Sequence, residues 1–314
     1  MQESGIKVTL RKLLDEHRGF VMSSGRGPGL SRRILLSTLG AAGCAPLLNR
    51  LAWSQQSALP LVNLGLEHLD ILVPDVESSA RFYKQVFNSP LHEQPFRGSV
   101  RYFVLLGDLP DDRQVGYIAI GAAGDRPVQI GHYCALAETY DREGVAAILE
   151  AAGYPASGGG GFGMIPDPDG IELQLFTLPA GLVTAAVPSA LDVEPQGLLE
   201  PRGLGNVLLH VTDMDRSLAY YRTLYGTGLE TRDPDNPDRI WLQLERNTRI
   251  GLEAGATGES ARIARFGIKV APYDHGLVSD RLRQIGTDVL YQSAADGLIR
   301  FQDRDGITLE VIAS

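Results

Sequence analysis

The chain has 314 residues, 44% hydrophobic and 21% charged, with a net charge of -9 and a pI near 5.2. That composition is globular and long enough for two domains, and the acidic balance argues against nucleic acid as a partner. Its two cysteines, Cys44 and Cys134, lie far apart and give no disulfide framework.

The N-terminal stretch "GLSRRILLSTLGAAGCAPLL" sets Arg32 and Arg33 before a short apolar run that ends in small residues. A positive segment followed by an apolar stretch too short to span a bilayer reads as an export signal. The paired arginines resemble the twin-arginine type, which carries folded proteins and implies a periplasmic or otherwise exported location. Residues 1–58 are therefore expected to form a leader, with a small-residue cleavage site at Ser57 and Ala58. No membrane span is expected in the mature chain.

Beyond residue 60 the sequence repeats itself. "HLDILVPDVESSARFYKQVFNSPL" (68–91) lies over "NVLLHVTDMDRSLAYYRTLYGTGL" (206–229), matching Asp75 to Asp213, Ser79 to Ser217 and Tyr83 to Tyr221. "TYDREGVAAILEAAG" (139–153) matches "PYDHGLVSDRLRQIG" (272–286), and "DPDGIELQLF" (167–176) matches "DRDGITLEVI" (303–312). Three blocks in one order define two copies, 64–179 and 203–314, joined by a Pro/Gly/Ala-rich linker over 180–202.

Residues 68–73 alternate as a strand. From 76 to 88, Val76, Ala80, Tyr83 and Phe87 recur at helical spacing, with Asp75 placed to cap the helix. Strand signals follow at "RYFVLLG", "VGYIAIGAA" and "VQIGHYCAL", then a helix ending at Gly153 and a last strand, "IELQLF". The pattern is βαβββ twice per copy, an α+β fold. Four such modules can complete both sheets within one chain, and pairing into a homodimer stays open.

Strand parity decides which side chains meet. His68, Asp70 and Leu72 share one face of the first strand, His132 and Cys134 one face of the fifth, and Glu172 and Gln174 one face of the last. The polar faces would line the concave side of a curved sheet. Two imidazoles and an oxygen donor there make a divalent metal site that suits Fe(II), and also Zn, Mn or Ni. Other residues with two readings are Tyr102 and Tyr117 (acid or core filler), His92 (proton shuttle or surface) and Gly158 to Gly161, read as a loop over the cavity mouth.

The blocks resemble the vicinal oxygen chelate superfamily, which includes glyoxalase I, the bleomycin and fosfomycin resistance proteins and the extradiol dioxygenases. The resemblance rests on His68 before the Asp75 turn, "SARFY" on the helix, His132 opening the second module and "DPDG" before the last strand. It implies two tandem glyoxalase-like domains and metal ligands on the first, fifth and last strands, here His68 and His132. Family members usually carry glutamate where this chain has Gln174, so three readings stand: Gln174 binds, Glu172 replaces it, or the metal site has decayed. In the second copy Asn206 and Arg265 replace the two histidines while Glu310 keeps the acidic position, so an ion pair between Arg265 and Glu310 is expected there, with an anion pocket as the other reading. The resemblance implies a metal-dependent glyoxalase- or dioxygenase-like enzyme acting on a small substrate with vicinal oxygens. A metal-free binding protein of the bleomycin-resistance type is the alternative.

Overall fold

The computed structural model describes residues 59–106, 116–154, 163–177, 186–192 and 197–314; the expected leader and Gly158–Gly161 lie outside them. The first sheet is built from β1 (Asn63–Val73), β2 (Leu91–Phe96), β3 (Ser99–Leu106), β4 (Gly116–Ala122), β5 (Gln129–Ala137), β6 (Met164–Pro166), β7 (Glu172–Phe176) and β8 (Val187–Pro188). Its strand order is β6-β7-β5-β1-β4-β3-β2-β8. Helices α1 (Val76–Val86) and α2 (Arg142–Ala151) connect β1 to β2 and β5 to β6. Part of the stretch read as linker, Val187–Pro188, thus pairs with His92 and Glu93 at the edge of this sheet.

The second sheet repeats the plan with β9 (Pro201–Val211), β10 (Glu230–Arg232), β11 (Ile240–Leu244), β12 (Thr248–Ala254), β13 (Arg262–Val270), β14 (Val289–Ser293), β15 (Leu298–Gln302) and β16 (Thr308–Ala313). Its order is β10-β11-β12-β9-β13-β16-β15-β14, with helices α3 (Met214–Tyr225) and α4 (His275–Gln284). This is the α+β architecture of paired βαβββ modules that the repeat predicts. Among the described residues the second module of the first half shows three strands.

Each helix starts on an aspartate. Asp75, Asp141, Asp213 and Asp274 accept the backbone N–H of Ser78, Gly144, Arg216 and Leu277, satisfying amides that the first turn leaves free. The helix read over 76–88 ends at Val86; it buries Ser79, Ala80, Tyr83 and Val86, one stripe at helical spacing. One buried apolar cluster runs through both halves, from Leu66, Leu69 and Tyr83 to Val207, Tyr221 and Phe301. Each fully buried Leu or Phe contributes about 1.5–3 kcal/mol of transfer free energy. Among the described residues no helix is long and apolar enough to cross a membrane.

A β-bulge in β1 positions the site. Leu66 pairs with Ala135 and Leu69 with Tyr133, so two residues of β1, Glu67 and His68, stand opposite Cys134 alone. Leu66 and Leu69 both belong to the apolar core, which turns Glu67 and His68 toward the concave face together. The second half keeps the device. Leu204 pairs with Ile268 and Asn206 with Gly267, leaving Gly205 and Asn206 at the equivalent spot.

Candidate metal centre

His68 and His132 meet. Their Nε2 atoms are 3.3 Å apart and their rings stand edge to face, with centroids 5.4 Å apart. Both side chains are buried. His68 lies flat against Tyr117, centroids 4.3 Å apart and planes 8° from parallel, and Phe176 borders it at 6.5 Å. Tyr117 therefore packs a ligand candidate, while Tyr102 belongs to the main core.

Each imidazole turns its other nitrogen to a carboxylate. His68 Nδ1 donates to Glu67 Oε2, and His132 Nδ1 faces Asp70 Oδ2 at 3.8 Å. A carboxylate facing Nδ1 favours a proton there, and in the neutral ring that leaves Nε2 as the nitrogen that can bind a metal. Burial, with His68 and Arg101 adding to it, holds the His132 imidazole well below its ordinary pKa, in the neutral form that a metal requires. Two nitrogens each about 2.1 Å from one ion stand about 3.3 Å apart when the angle at the ion is a little over 100°. The spacing observed between the rings fits a shared ion.

The oxygen donors lie on β7. His132 pairs in register with Glu172, and Cys134 with Gln174. Gln174 is buried with its amide beside the His132 ring. Glu172 is half-buried and lines an open cavity of about 500 Å³, together with Asp70, Arg101 and His132. Burial raises the Asp70 carboxyl to about 6, against the pull of Arg101, whose Nη2 is 3.3 Å from Oδ1.

Glu67 and Arg101 were not among the residues that the sequence singled out. Glu67, His68 and Cys134 form a second close group, with ligand atoms within 4.8 Å of one another. This group lies on the Nδ1 side of His68, away from His132. Burial and the Glu67 charge push the Cys134 thiol well above its ordinary pKa, so it stays a thiol and a poor ligand. His92 sits on β2, paired with Phe103 and Pro188.

The second concave face is chemically different. Glu310 Oε1 accepts from Arg265 Nε at 2.8 Å and lies 2.7 Å from Arg300 Nη2, and Glu310 Oε2 accepts from Asn206 Nδ2 at 3.2 Å. The expected ion pair is present, with Arg300 as an additional partner. A carboxylate held between two guanidiniums has no free charge for a cation.

No family model and no curated protein matches the chain. Among solved structures it shares the fold of extradiol dioxygenases and of a glyoxalase. The 2,3-dioxygenase LapB from Pseudomonas sp. KL28 superposes with a TM-score of 0.59 at 17% identity, covering 81% of this chain and 93% of that one. A catechol 2,3-dioxygenase gives 0.58 at 15% identity, covering 81% and 89%. The Mn(II)-bound glyoxalase from Novosphingobium aromaticivorans gives 0.57 at 16% identity, covering 80% and 82%. At such identities the likeness is one of fold, and chemistry must be argued from the site.

Proposed function

We propose that the protein is a divalent-metal enzyme of the glyoxalase or dioxygenase kind, acting on a small substrate through vicinal oxygens. One observation carries this reading: His68 and His132 present their Nε2 atoms to each other at 3.3 Å while their Nδ1 atoms face carboxylates. Two lone pairs aimed at one point repel unless a metal ion or a single proton joins them, and a metal ion fits the spacing. In this reading His68 and His132 bind the ion, and Gln174 or Glu172 supplies an oxygen. A divalent ion there would act as a Lewis acid toward the adjacent substrate oxygens, with coordination positions left open for them.

The chain's own residues do the rest. Glu67 fixes the His68 tautomer, and Tyr117 and Phe176 hold the ring and keep water from its face. The cavity beside Asp70 and His132 gives the substrate its place. Fe(II) would suit ring cleavage with dioxygen; Mn, Ni or Zn would suit isomerisation or a lyase step. A metal-free binding protein would instead need a proton on one Nε2, donated to the other across the 3.3 Å gap. Arg32, Arg33 and the apolar run after them support export of the folded chain.

Elemental analysis of protein prepared without chelators tests the reading. About one divalent transition metal per chain is expected, and His68→Ala should lose it. A wild-type protein that takes up no metal when offered each of the four ions contradicts it.

A further inference from the structure

The cavity carries more positive charge than its setting predicts. In a chain of net charge -9, this one hollow gathers Arg97, Arg101 and Arg126 against Asp70 and Glu172, before any metal is counted. Only Arg101 has a carboxylate partner, Asp70 at 3.3 Å. Among the described residues Arg97 and Arg126 form no direct ion pair, although the Arg126 charge also acts on Asp70 from farther off.

The guanidiniums are also held in place. Arg101 lies over the Phe96 ring at 4.2 Å and Arg97 over the same ring at 5.2 Å, so one aromatic side chain steadies two cations. Arg126 donates its Nε to the Ala123 carbonyl at 3.3 Å, leaving its terminal N–H groups free. Arg97 and Gly98 form the two-residue turn between β2 and β3, both at positive φ, 49° and 80°. Asn is at ease at the first position of such a turn; an arginine there carries strain of about 1 kcal/mol. Gly121 adds a further sign of construction. A Cβ at that residue would stand 3.1 Å from Arg101 Nη2 and 3.3 Å from its Nε, so glycine keeps the place of the guanidinium clear.

We propose that the ligand of this cavity is a small carboxylic acid, whose carboxylate is received by Arg97 and Arg126 while Phe96, Leu72 and Met164 line its apolar body. This deepens, and rests on, the metal-enzyme reading in one respect: the end of the ligand that faces His132 would carry the vicinal oxygens. Arginine is suited to the role because its planar fork matches a carboxylate. The divalent charge at the histidines and the arginine charge at the rim then select a molecule with oxygens at one end and an anion at the other. They select against its neutral esters.

The test is calorimetric titration of the full chain, metal-free and Mn(II)-loaded, with 3,4-dihydroxybenzoate and with its methyl ester. The acid should bind about tenfold or more tighter than the ester in both forms of the protein, since a charge-assisted hydrogen bond is worth about 1.5–3 kcal/mol. Arg97→Gln/Arg126→Gln should bring acid and ester to within about twofold of each other. Arg81→Gln, an exposed arginine of α1 paired with Glu77, should keep the wild-type preference. Equal binding of acid and ester, tighter binding of the ester, or no binding of either overturns the proposal. Failure of the metal reading looks different: the acid keeps its preference, while Mn(II) changes neither affinity.

Discussion

Tyr83, on the first helix, donates its phenol hydrogen to Asp303 Oδ2 at 3.0 Å, 220 residues away in the turn before the last strand. Tyr221 reciprocates on Asp167 Oδ2 at 3.4 Å. Ser79 and Ser217, one helical turn earlier, bond Asp305 and Asp169 in the same crossed fashion. Each half therefore clasps the Asp-x-Asp-Gly turn of the other. The repeated Ser and Tyr of the helices and the repeated aspartates of the turns are two sides of one contact. The first aspartate of each turn also accepts two backbone N–H bonds, Asp167 from Asp169 and Ile171, Asp303 from Asp305 and Ile307.

Tyr83→Phe removes the donor and leaves a buried carboxylate oxygen with no side-chain partner. A loss of about 1–3 kcal/mol is expected in urea denaturation. A change below about 0.5 kcal/mol, the level of an ordinary surface substitution, would show that the clasp contributes nothing.

Burial raises the Asp167 carboxyl from 3.8 to about 6, only partly offset by its hydrogen bonds. The folded state thus holds a proton that the unfolded chain has released, and ionised Asp167 destabilises the fold. That penalty is full above pH 6 and fades as pH falls through about 6 toward 3.8. Asp167→Asn should therefore stabilise the protein more at about pH 7.5 than at about pH 4.5, the difference being on the order of 2 kcal/mol. Denaturation of both proteins at the two pH values measures it, and a pH-independent difference contradicts the assignment.

Glu67→Gln keeps the size of the side chain but weakens the acceptor that holds the His68 proton on Nδ1. Metal affinity should fall by about tenfold or more, with the denaturation midpoint of the metal-free protein little changed. Competition against a chromophoric chelator reads the affinity. Unchanged affinity would mean that Glu67 does not set the tautomer.

Glu310→Ala would leave Arg265 and Arg300 buried or half-buried without their shared counter-charge. A destabilisation of about 3–5 kcal/mol is expected, with metal content unchanged because the second half supplies no ligands. A fall in bound metal would contradict the separation of the two sites.

Much of this was legible in the sequence because it depends on short-range rules. The repeat fixes the architecture, Asp75 caps its helix, and alternation puts His68 and His132 on one concave face. Glu67 escaped because alternation assigns it to the core face with Leu69 and Ile71; the bulge breaks that parity. The available cue was Gly65, a glycine inside a strand, which is where bulges occur. Its φ of +92° and a Cβ position 2.5 Å from the Glu245 carbonyl oxygen leave room for no other residue. Arg101 and Arg300 could not be foreseen, since cross-strand register brings them to Asp70 and Glu310 and register is not written in either strand alone. The crossed clasp needs two segments more than 200 residues apart, and only their parallel repetition hinted at it.

If imidazoles 68 and 132 share one cation, titration of the metal-free full chain with Co(II) reads it directly. Visible d–d absorption should rise to an end point near one Co(II) per chain and vanish in both His68→Ala and His132→Ala. Absorption that survives in either variant, or that never develops in the wild type, would contradict the account.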